Sequence, residues 1–218
     1  MRRRQAITQR NNDMTDNYKR LDVENAALLM IDHQTGLCNG VRDQNLAEFK
    51  TNVLALANIG RVYKLPTIVT ASAPTGPNGP LMPEVLERLP DAQVILRPGE
   101  VNAWDNPEFA DAVRKTGRKQ LIIAGVSTEV CVAFPALAAQ AEGFEVYAVI
   151  DSSGTWSKTV QDSAVARMAH AGIIITSWVA VAGELQRDWR RETGQQLAEL
   201  MGEGLPFYGN VIQSWVKR

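Results

Sequence analysis

Short apolar runs at regular intervals are the feature that most restricts how this chain can fold. Residues Ala26–Ile31 are all apolar, which is typical of a strand buried on both faces of a parallel sheet. Comparable candidates follow along the chain, at Thr67–Thr70, Val94–Leu96, Gln120–Ala124, Val146–Ile150 and Ile173–Trp178. Because these runs are shorter than typical helices, they favour a sheet of six strands.

Helical patterns fill the segments between these strands. From Leu46 to Tyr63, apolar residues recur every three or four positions, which predicts an amphipathic helix ending before Pro66. Other helices are predicted around Glu84–Arg88, from Asn106 to Gly117, from about Glu129 to Gly143, and up to Gly172. Strands alternating with helices imply crossover connections. We therefore predict an α/β fold, a three-layer α/β/α sandwich with a mostly parallel, Rossmann-like six-stranded sheet.

One domain is expected over residues 18–218. Residues 1–17 are polar and Arg-rich, and we predict a disordered or arm-like extension there, with a transit peptide or a later start at Met14 as alternatives. Residues 184–218 show no strand pattern but carry several aromatic side chains. This tail is expected to pack on its own domain or on a neighbouring subunit.

The charge balance excludes several classes of partner. The chain has 23 Lys and Arg residues against 24 Asp and Glu, a formal net charge of −1. This gives no electrostatic basis for binding nucleic acid or an anionic membrane. No apolar stretch approaches the roughly 18 residues of a membrane span. We predict a cytoplasmic protein that acts on a small molecule.

Histidine and cysteine are scarce, which restricts the possible chemistry. The two histidines are His33 and His170, and the two cysteines are Cys38 and Cys131. A three-histidine zinc site is impossible, and two cysteines cannot form a disulfide-rich scaffold. Catalysis must therefore rest mainly on carboxylates, a thiol or a basic side chain. We interpret His33 as more probable in a structural role than as a base or ligand.

Reactive side chains follow several of the predicted strands. Asp32 comes directly after the first strand, Arg97 after the third and Asp151 after the fifth, and Cys131 follows the fourth within a short turn. Ligands of open parallel sheets bind outside the carboxyl ends of the strands. An acid, a guanidinium and a thiol are therefore expected at one edge of the sheet.

Cys131 is the leading candidate for a nucleophile. With Thr128 as the N-cap, it lies in the first helical turn, where the helix dipole and free N–H groups favour a thiolate. A buried structural cysteine is an equally good interpretation of its position. Asp32 and Arg97 have plain alternatives too, as a loop-capping carboxylate and a surface arginine. Cys38 lies in a glycine-rich turn and is interpreted as structural.

These residues resemble a known family. The segments Leu29-Met-Ile-Asp-His-Gln34 and Ala124-Gly-Val-Ser-Thr-Glu-Val-Cys-Val132, with a basic residue closing a strand between them, resemble the isochorismatase-like cysteine hydrolases. Further segments resemble the YcaC-type hydrolases within that superfamily, at 97–106, 130–137 and 187–190. The resemblance covers nearly the whole chain after Met14 and implies a homo-oligomer, with an octamer as the specific expectation.

The resemblance implies a catalytic triad of Asp32, Arg97 and Cys131. Asp32 would take the thiol proton, and the thiolate would attack an acyl carbon to form a thioester. It also implies a cis peptide bond at Val126–Ser127, with backbone N–H groups of Ser127 and Cys131 as an oxyanion hole. Amidases of the superfamily usually carry lysine where this chain has Arg97, which is a poor proton shuttle.

No cofactor or catalytic metal is expected. Nicotinamidases of the superfamily hold a metal through an Asp-x-His pair and a later histidine, whereas Gln34 stands two residues after Asp32 here. Position alone suggests pocket walls at Gln34, Asn102, Trp104, Phe134 and Thr155. The expected activity is hydrolysis of a small amide or related acyl compound. Vinyl-ether hydrolysis and a non-enzymatic redox-sensing or assembly role remain open alternatives.

Overall fold

The computed structural model describes residues 18–217, so the predicted extension 1–17 lies outside the described residues. Six strands form one sheet in the order β3-β2-β1-β4-β5-β6, and every pairing is parallel. The strands are β1 (Ala26–Ile31), β2 (Thr67–Ser72), β3 (Gln93–Arg97), β4 (Gln120–Gly125), β5 (Glu145–Val149) and β6 (Ile174–Thr176). The predicted α/β class and six-stranded sheet are confirmed.

Helices connect the strands and cover both faces of the sheet. They are α1 (Thr35–Cys38), α2 (Leu46–Val62), α3 (Pro83–Arg88), α4 (Pro107–Lys115), α5 (Ala133–Ala141), α6 (Lys158–His170), α7 (Trp178–Gln186), α8 (Gly194–Gly204) and α9 (Pro206–Val216). A 3-10 turn at Ala103–Asp105 and a π-helical turn at Thr128–Val132 precede α4 and α5. Asn106 caps α4 with Pro107 at its first position, as the sequence predicts.

Alternating side chains of the central strands build two hydrophobic cores. Ala26, Leu28 and Met30 of β1 pack with α2, α7 and α8 on one face. Their neighbours Ala27, Leu29 and Ile31 pack with α4, α5 and α6 on the other. Because β1 is covered on both faces, its sequence is apolar throughout instead of alternating.

The strand order reverses between β1 and β4. From β1 the chain continues to β2 and β3 on one side of this pair, and from β4 it continues to β5 and β6 on the other. Ligands of open parallel sheets bind at such a point, in the crevice outside the carboxyl ends of the two central strands. Gly125 ends β4 so close to the Ile31 carbonyl that an added Cβ would collide with it. Glycine at this position therefore lets the segment after β4 approach the segment after β1.

The structure differs from the prediction at the starts of α7 and α5. The last strand ends at Thr176 instead of Trp178, because the Ser177 side chain caps α7 by accepting from Ala180 N. Trp178 is the first residue of α7, and its indole nitrogen donates to Asn52 Oδ1 at 2.9 Å. The helix predicted from Glu129 begins as the π-helical turn, and α5 starts only at Ala133.

The tail consists of helices with unequal burial. Helix α8 contributes Leu197, Leu200 and Met201 to the core that contains α2. Within the described residues, α9 buries none of its side chains. No helix of residues 18–217 is long and apolar enough to cross a membrane.

Candidate active site

Asp32 directly follows β1 and lies at the bottom of the crevice. Its backbone is left-handed, with φ 56°, which is uncommon for a residue other than glycine. Its N–H donates to the Thr70 carbonyl of β2 at 2.8 Å. The side chain is only 1 % exposed, so its carboxylate must be stabilised by neighbouring groups.

Arg97 supplies that stabilisation from the end of β3. The residue is fully buried, and its Nη2 forms an ion pair with Asp32 Oδ1. Its Nε donates to Thr70 Oγ1 at 3.0 Å, and its Nη1 donates to the Glu100 carbonyl. A buried charge is tolerated when it is paired and its donors are satisfied. The surface-arginine interpretation is therefore wrong.

Cys131 lies on the neighbouring strand connection, within the π-helical turn after β4. The peptide bond Val126–Ser127 is cis, as the sequence resemblance implies. The helical turn begins one residue earlier than predicted, so that Ser127 and not Thr128 occupies the N-cap position. The Ser127 carbonyl accepts from the Cys131 N–H at 2.8 Å.

The structure brings Cys131 near both Asp32 and Arg97. The Asp32 carboxylate and the Arg97 guanidinium lie close enough to act electrostatically on the Cys131 thiol. These three side chains come from the ends of β1, β3 and the segment after β4. A carboxylate, a guanidinium and a thiol thus meet at the edge of the sheet where the sequence places them.

The environment of Cys131 favours the neutral thiol in the resting site. Burial raises the pKa of Cys131 well above its usual value, and the negative charge of Asp32 raises it further. A backbone hydrogen bond from Ser127 and the charge of Arg97 act in the opposite direction but are weaker. The helix start is expected to favour a thiolate, but burial and the charge of Asp32 have the larger effects on the pKa of Cys131.

Comparison with known proteins identifies the family. The isochorismatase domain family matches residues 26–180. The chain belongs to the isochorismatase family. The probable hydrolase YcaC of Escherichia coli K12 is 52% identical over 202 residues, covering 93% of this chain and 97% of that protein. The isochorismatase assignment and the predicted hydrolase class are confirmed.

Two solved structures share the fold of this isochorismatase-family chain. The E. coli YcaC crystal structure, described as an octameric hydrolase of unknown specificity, has a TM-score of 0.90 at 52% identity and covers 92% of this chain and 98% of its own. YcaC from Pseudomonas aeruginosa, solved with hexane-2,5-diol and covalent acrylamide, has a TM-score of 0.88 at 55% identity. It covers 91% of this chain and 98% of its own.

Two of the predicted pocket residues of this isochorismatase-family site have side chains that are hydrogen-bonded to the surrounding protein. Gln34 is fully buried. Its side chain accepts from Ser72 N at 3.1 Å and donates to the Ser72 and Gly79 carbonyls. These bonds hold the loop after β2 in place. Trp104 belongs to the core that contains Cys131, and its indole nitrogen donates to Glu142 Oε1 at 2.7 Å. Their contact with substrate stays a prediction.

The other predicted pocket residues differ in exposure and partners. Asn102 is partly exposed and caps the 3-10 turn by accepting from Trp104 N at 3.1 Å. Phe134 is half-buried beneath the Arg167 guanidinium. Thr155 is buried, and its hydroxyl donates at 2.7 Å to Glu129, two residues before Cys131. Their roles as pocket walls also stay predictions.

His33 and Asp151 make structural contacts. Burial lowers the pKa of His33 to about 4, so the ring is neutral, and Nε2 lies 3.0 Å from the Ser152 carbonyl that it donates to. Asp151, expected among the reactive groups of this edge, instead accepts from Trp178 N at the start of α7 at 3.0 Å. Burial raises the pKa of Asp151 to about 6.

Thr70 and Glu100 are the site residues that the sequence does not reveal. Each provides an acceptor to the Arg97 guanidinium. In the sequence, however, Thr70 is recognisable only as the end of a strand, and Glu100 makes its contact through its backbone.

Across residues 18–217, no group of three or more His, Cys, Asp or Glu side chains is placed to hold a metal ion.

Proposed function

We propose that this chain is a cysteine hydrolase that cleaves a small amide or related acyl compound through a thioester on Cys131. The observation that carries the proposal is the buried ion pair of Asp32 and Arg97, close enough to the Cys131 thiol to act on its pKa. A thiol with a high pKa becomes a useful nucleophile when a base accepts its proton during attack. We assign that role to Asp32.

The first half-reaction forms the thioester. As Cys131 Sγ bonds to the acyl carbon, its proton passes to Asp32, and the carbonyl oxygen gains the negative charge of a tetrahedral intermediate. Collapse of that intermediate breaks the carbon–nitrogen bond, and Asp32 returns the proton to the departing amine. The products of this step are the free amine and an acyl group on Cys131.

The second half-reaction releases the acid. Asp32 takes a proton from an incoming water molecule, whose oxygen attacks the thioester carbon. The carbon–sulfur bond then breaks, the acid leaves, and Cys131 regains its proton. Arg97 takes no part in the proton transfers. Its role is to pair with the Asp32 carboxylate and to orient it between transfers.

The oxyanion hole is proposed at the backbone N–H groups of Ser127 and Cys131. The Ser127 backbone lies close enough to the Cys131 thiol to lower its pKa, so this segment lies next to the reacting sulfur. The Cys131 N–H donates to the Ser127 carbonyl within the π-helical turn. For the Cys131 N–H to stabilise an oxyanion, it would have to be shared with that carbonyl.

Selective alkylation tests the nucleophile. Acrylamide reacts with thiolates, and the P. aeruginosa relative was solved with covalent acrylamide, so acrylamide is a suitable probe for this protein. We expect acrylamide to modify Cys131 in this protein and to leave Cys38 unmodified, as read by peptide mass spectrometry. Cys38 is the matched control, because burial raises the pKa of its thiol to about 12 without an adjacent base.

Two controls show whether the labelling reports the proposed site. The Asp32→Asn variant should label at least about 10-fold more slowly, because the loss of the proton acceptor outweighs the lower thiol pKa that follows when the Asp32 charge is removed. Cys38→Ala should label at the wild-type rate. Equal labelling of the two cysteines, or wild-type labelling in Asp32→Asn, would argue against an activated Cys131. It would favour a site that works without the thiol.

We further propose that the protein is a homo-oligomer, and that it is an octamer like the E. coli relative. Helix α9 and the segment before α8 expose large apolar side chains, among them Trp189, Phe207 and Trp215, and monomers rarely expose such clusters. Light scattering after size exclusion should give eight times the 24.0 kDa chain mass. A monomer mass would refute the oligomer, and another multiple would refute the octamer.

A further inference from the structure

The acceptors around Arg97 match the shape of its guanidinium. Nε donates to Thr70 Oγ1 at 3.0 Å, Nη1 to the Glu100 carbonyl, and Nη2 to Asp32 Oδ1. Each guanidinium nitrogen therefore has an acceptor, and the side chain is fully buried. A planar guanidinium with fixed donor directions fits these three acceptors, whereas the single ammonium group of a lysine does not.

Thr70 connects both charged residues of the site. It lies on β2 directly between Ile31 of β1 and Ile95 of β3 in the sheet register. Its carbonyl accepts from Asp32 N at 2.8 Å, and its hydroxyl accepts from Arg97 Nε. The hydroxyl proton is itself directed, because it donates to the Ile95 carbonyl at 2.8 Å.

The donation to Ile95 fixes the role of the Thr70 oxygen. A hydroxyl that gives its only proton to a carbonyl presents lone pairs to its other partners. The Thr70 oxygen is therefore held as an acceptor toward Arg97, and it cannot compete with the guanidinium for Asp32. The residue is fully buried, so water does not replace this contact.

The Glu100 carbonyl, which is the second acceptor of Arg97, is also held in place. The Glu100 carboxylate accepts from Asn106 Nδ2 at 3.1 Å, and Asn106 caps α4. The Glu100 carbonyl also lies 3.4 Å from Ser72 Oγ of β2. The loop after β3 is thereby fixed with this carbonyl facing Arg97.

We propose that Thr70 is a positioning residue of the active site, whose hydroxyl orients the Arg97 guanidinium so that Nη2 faces Asp32. Together with the Glu100 carbonyl and Asp32, this hydroxyl gives each nitrogen of the Arg97 guanidinium an acceptor. The proposal rests on the proposed function in one respect only, namely that Cys131 and Asp32 are the reacting groups.

A pair of substitutions at Thr70 separates the hydroxyl from the methyl group. Thr70→Val keeps the shape and removes the hydroxyl, whereas Thr70→Ser keeps the hydroxyl and removes the methyl. The measurement is the rate of Cys131 alkylation by iodoacetamide as a function of pH. Losing a hydrogen bond to a charged group should slow labelling of Thr70→Val at pH 7 by about 10-fold and shift its profile to higher pH. Thr70→Ser should stay near wild type.

The outcomes decide the role of Thr70. If Thr70→Ser loses reactivity and Thr70→Val keeps it, the residue acts only through packing and the proposal is overturned. Wild-type profiles in both variants would overturn it as well. If Thr70→Val does not fold, Thr70→Ser and Thr70→Ala give a second pair that differs only in the hydroxyl. Thr67→Val is the matched control, because its hydroxyl donates to the Leu65 carbonyl at the other end of β2.

The labelling readout keeps this proposal separate from the proposed function. Should no amide be hydrolysed while Thr70→Val still shifts the Cys131 profile, Thr70 positions Arg97 in a site with different chemistry. Should amides be hydrolysed while Thr70→Val behaves as wild type, the hydrolase assignment stands and the role of Thr70 is overturned.

Discussion

Arg97→Met should lower the free energy of unfolding by about 3–5 kcal/mol, since removing one partner of a buried ion pair leaves the other charge unpaired. In this protein the unpaired charge is the Asp32 carboxylate, which is 1 % exposed. The Thr70 hydroxyl and the Glu100 carbonyl lose their guanidinium donors in the same variant. Chemical unfolding at pH 7, followed by circular dichroism, measures the effect.

The double variant Asp32→Asn with Arg97→Met provides the sharper test. Removing both charges eliminates the unpaired carboxylate, so the double variant should be more stable than Arg97→Met alone. Additive losses from the two substitutions would show that the pair is not coupled in the fold. Arg114→Met is the matched control. Its ion pairs with Asp111 and Glu142 are exposed, so its loss should change stability little.

Asp32→Asn should reduce turnover of any amide substrate by about 10²–10⁴-fold, the usual contribution of a general base. Asparagine has nearly the same shape but cannot accept the Cys131 proton. Turnover should be measured on folded protein, below the melting temperature of the variant, because Arg97 loses its partner in this substitution too.

The pH dependence of the Asp32→Asn variant distinguishes a lost base from a damaged site. Burial raises the pKa of the Cys131 thiol in the wild type, and the variant has no internal acceptor for its proton. The residual rate of Asp32→Asn should therefore rise as pH increases, since hydroxide in the solvent then ionises the thiol. A residual rate that is flat between pH 6 and 9 would contradict the assignment of Asp32 as the base.

The sequence predicts well where the site residues lie in the fold, because the ends of the strands are encoded by local sequence. The apolar runs before Asp32 and Arg97 give the positions where β1 and β3 end. The rule that ligands bind at the carboxyl ends of parallel strands then places both residues at one edge. Cys131 follows from the same rule applied to β4, and it lies close enough to Asp32 for the carboxylate to raise the pKa of its thiol.

The partners of these residues could not be predicted in the same way. Thr70 reaches Arg97 because the register pairs it with Ile95 and pairs Ser72 with Arg97, and a one-residue shift would turn its side chain to the opposite face. No local pattern encodes that register. For Asp151 the sequence predicts too much. Its position after β5 suggests a reactive side chain at the functional edge, whereas its carboxylate accepts from the first N–H of α7.

The protonation state of Cys131 was also beyond the sequence. A helix start suggests a thiolate, but in the folded chain the effects of burial and of the Asp32 charge are larger. These depend on how completely the side chain is enclosed and on which carboxylate lies beside it. In the proposed mechanism this thiol ionises as its proton passes to Asp32.

Trapping the acyl group on Cys131 tests the central claim most directly. The wild-type protein is mixed with an amide that it hydrolyses, quenched in acid within the first turnover, and digested for mass spectrometry. We expect the mass of the acyl group on the peptide that contains Cys131, no adduct on Cys38, and no adduct or turnover in Cys131→Ala. Undiminished turnover in Cys131→Ala, with no adduct in the wild type, would contradict the thioester mechanism.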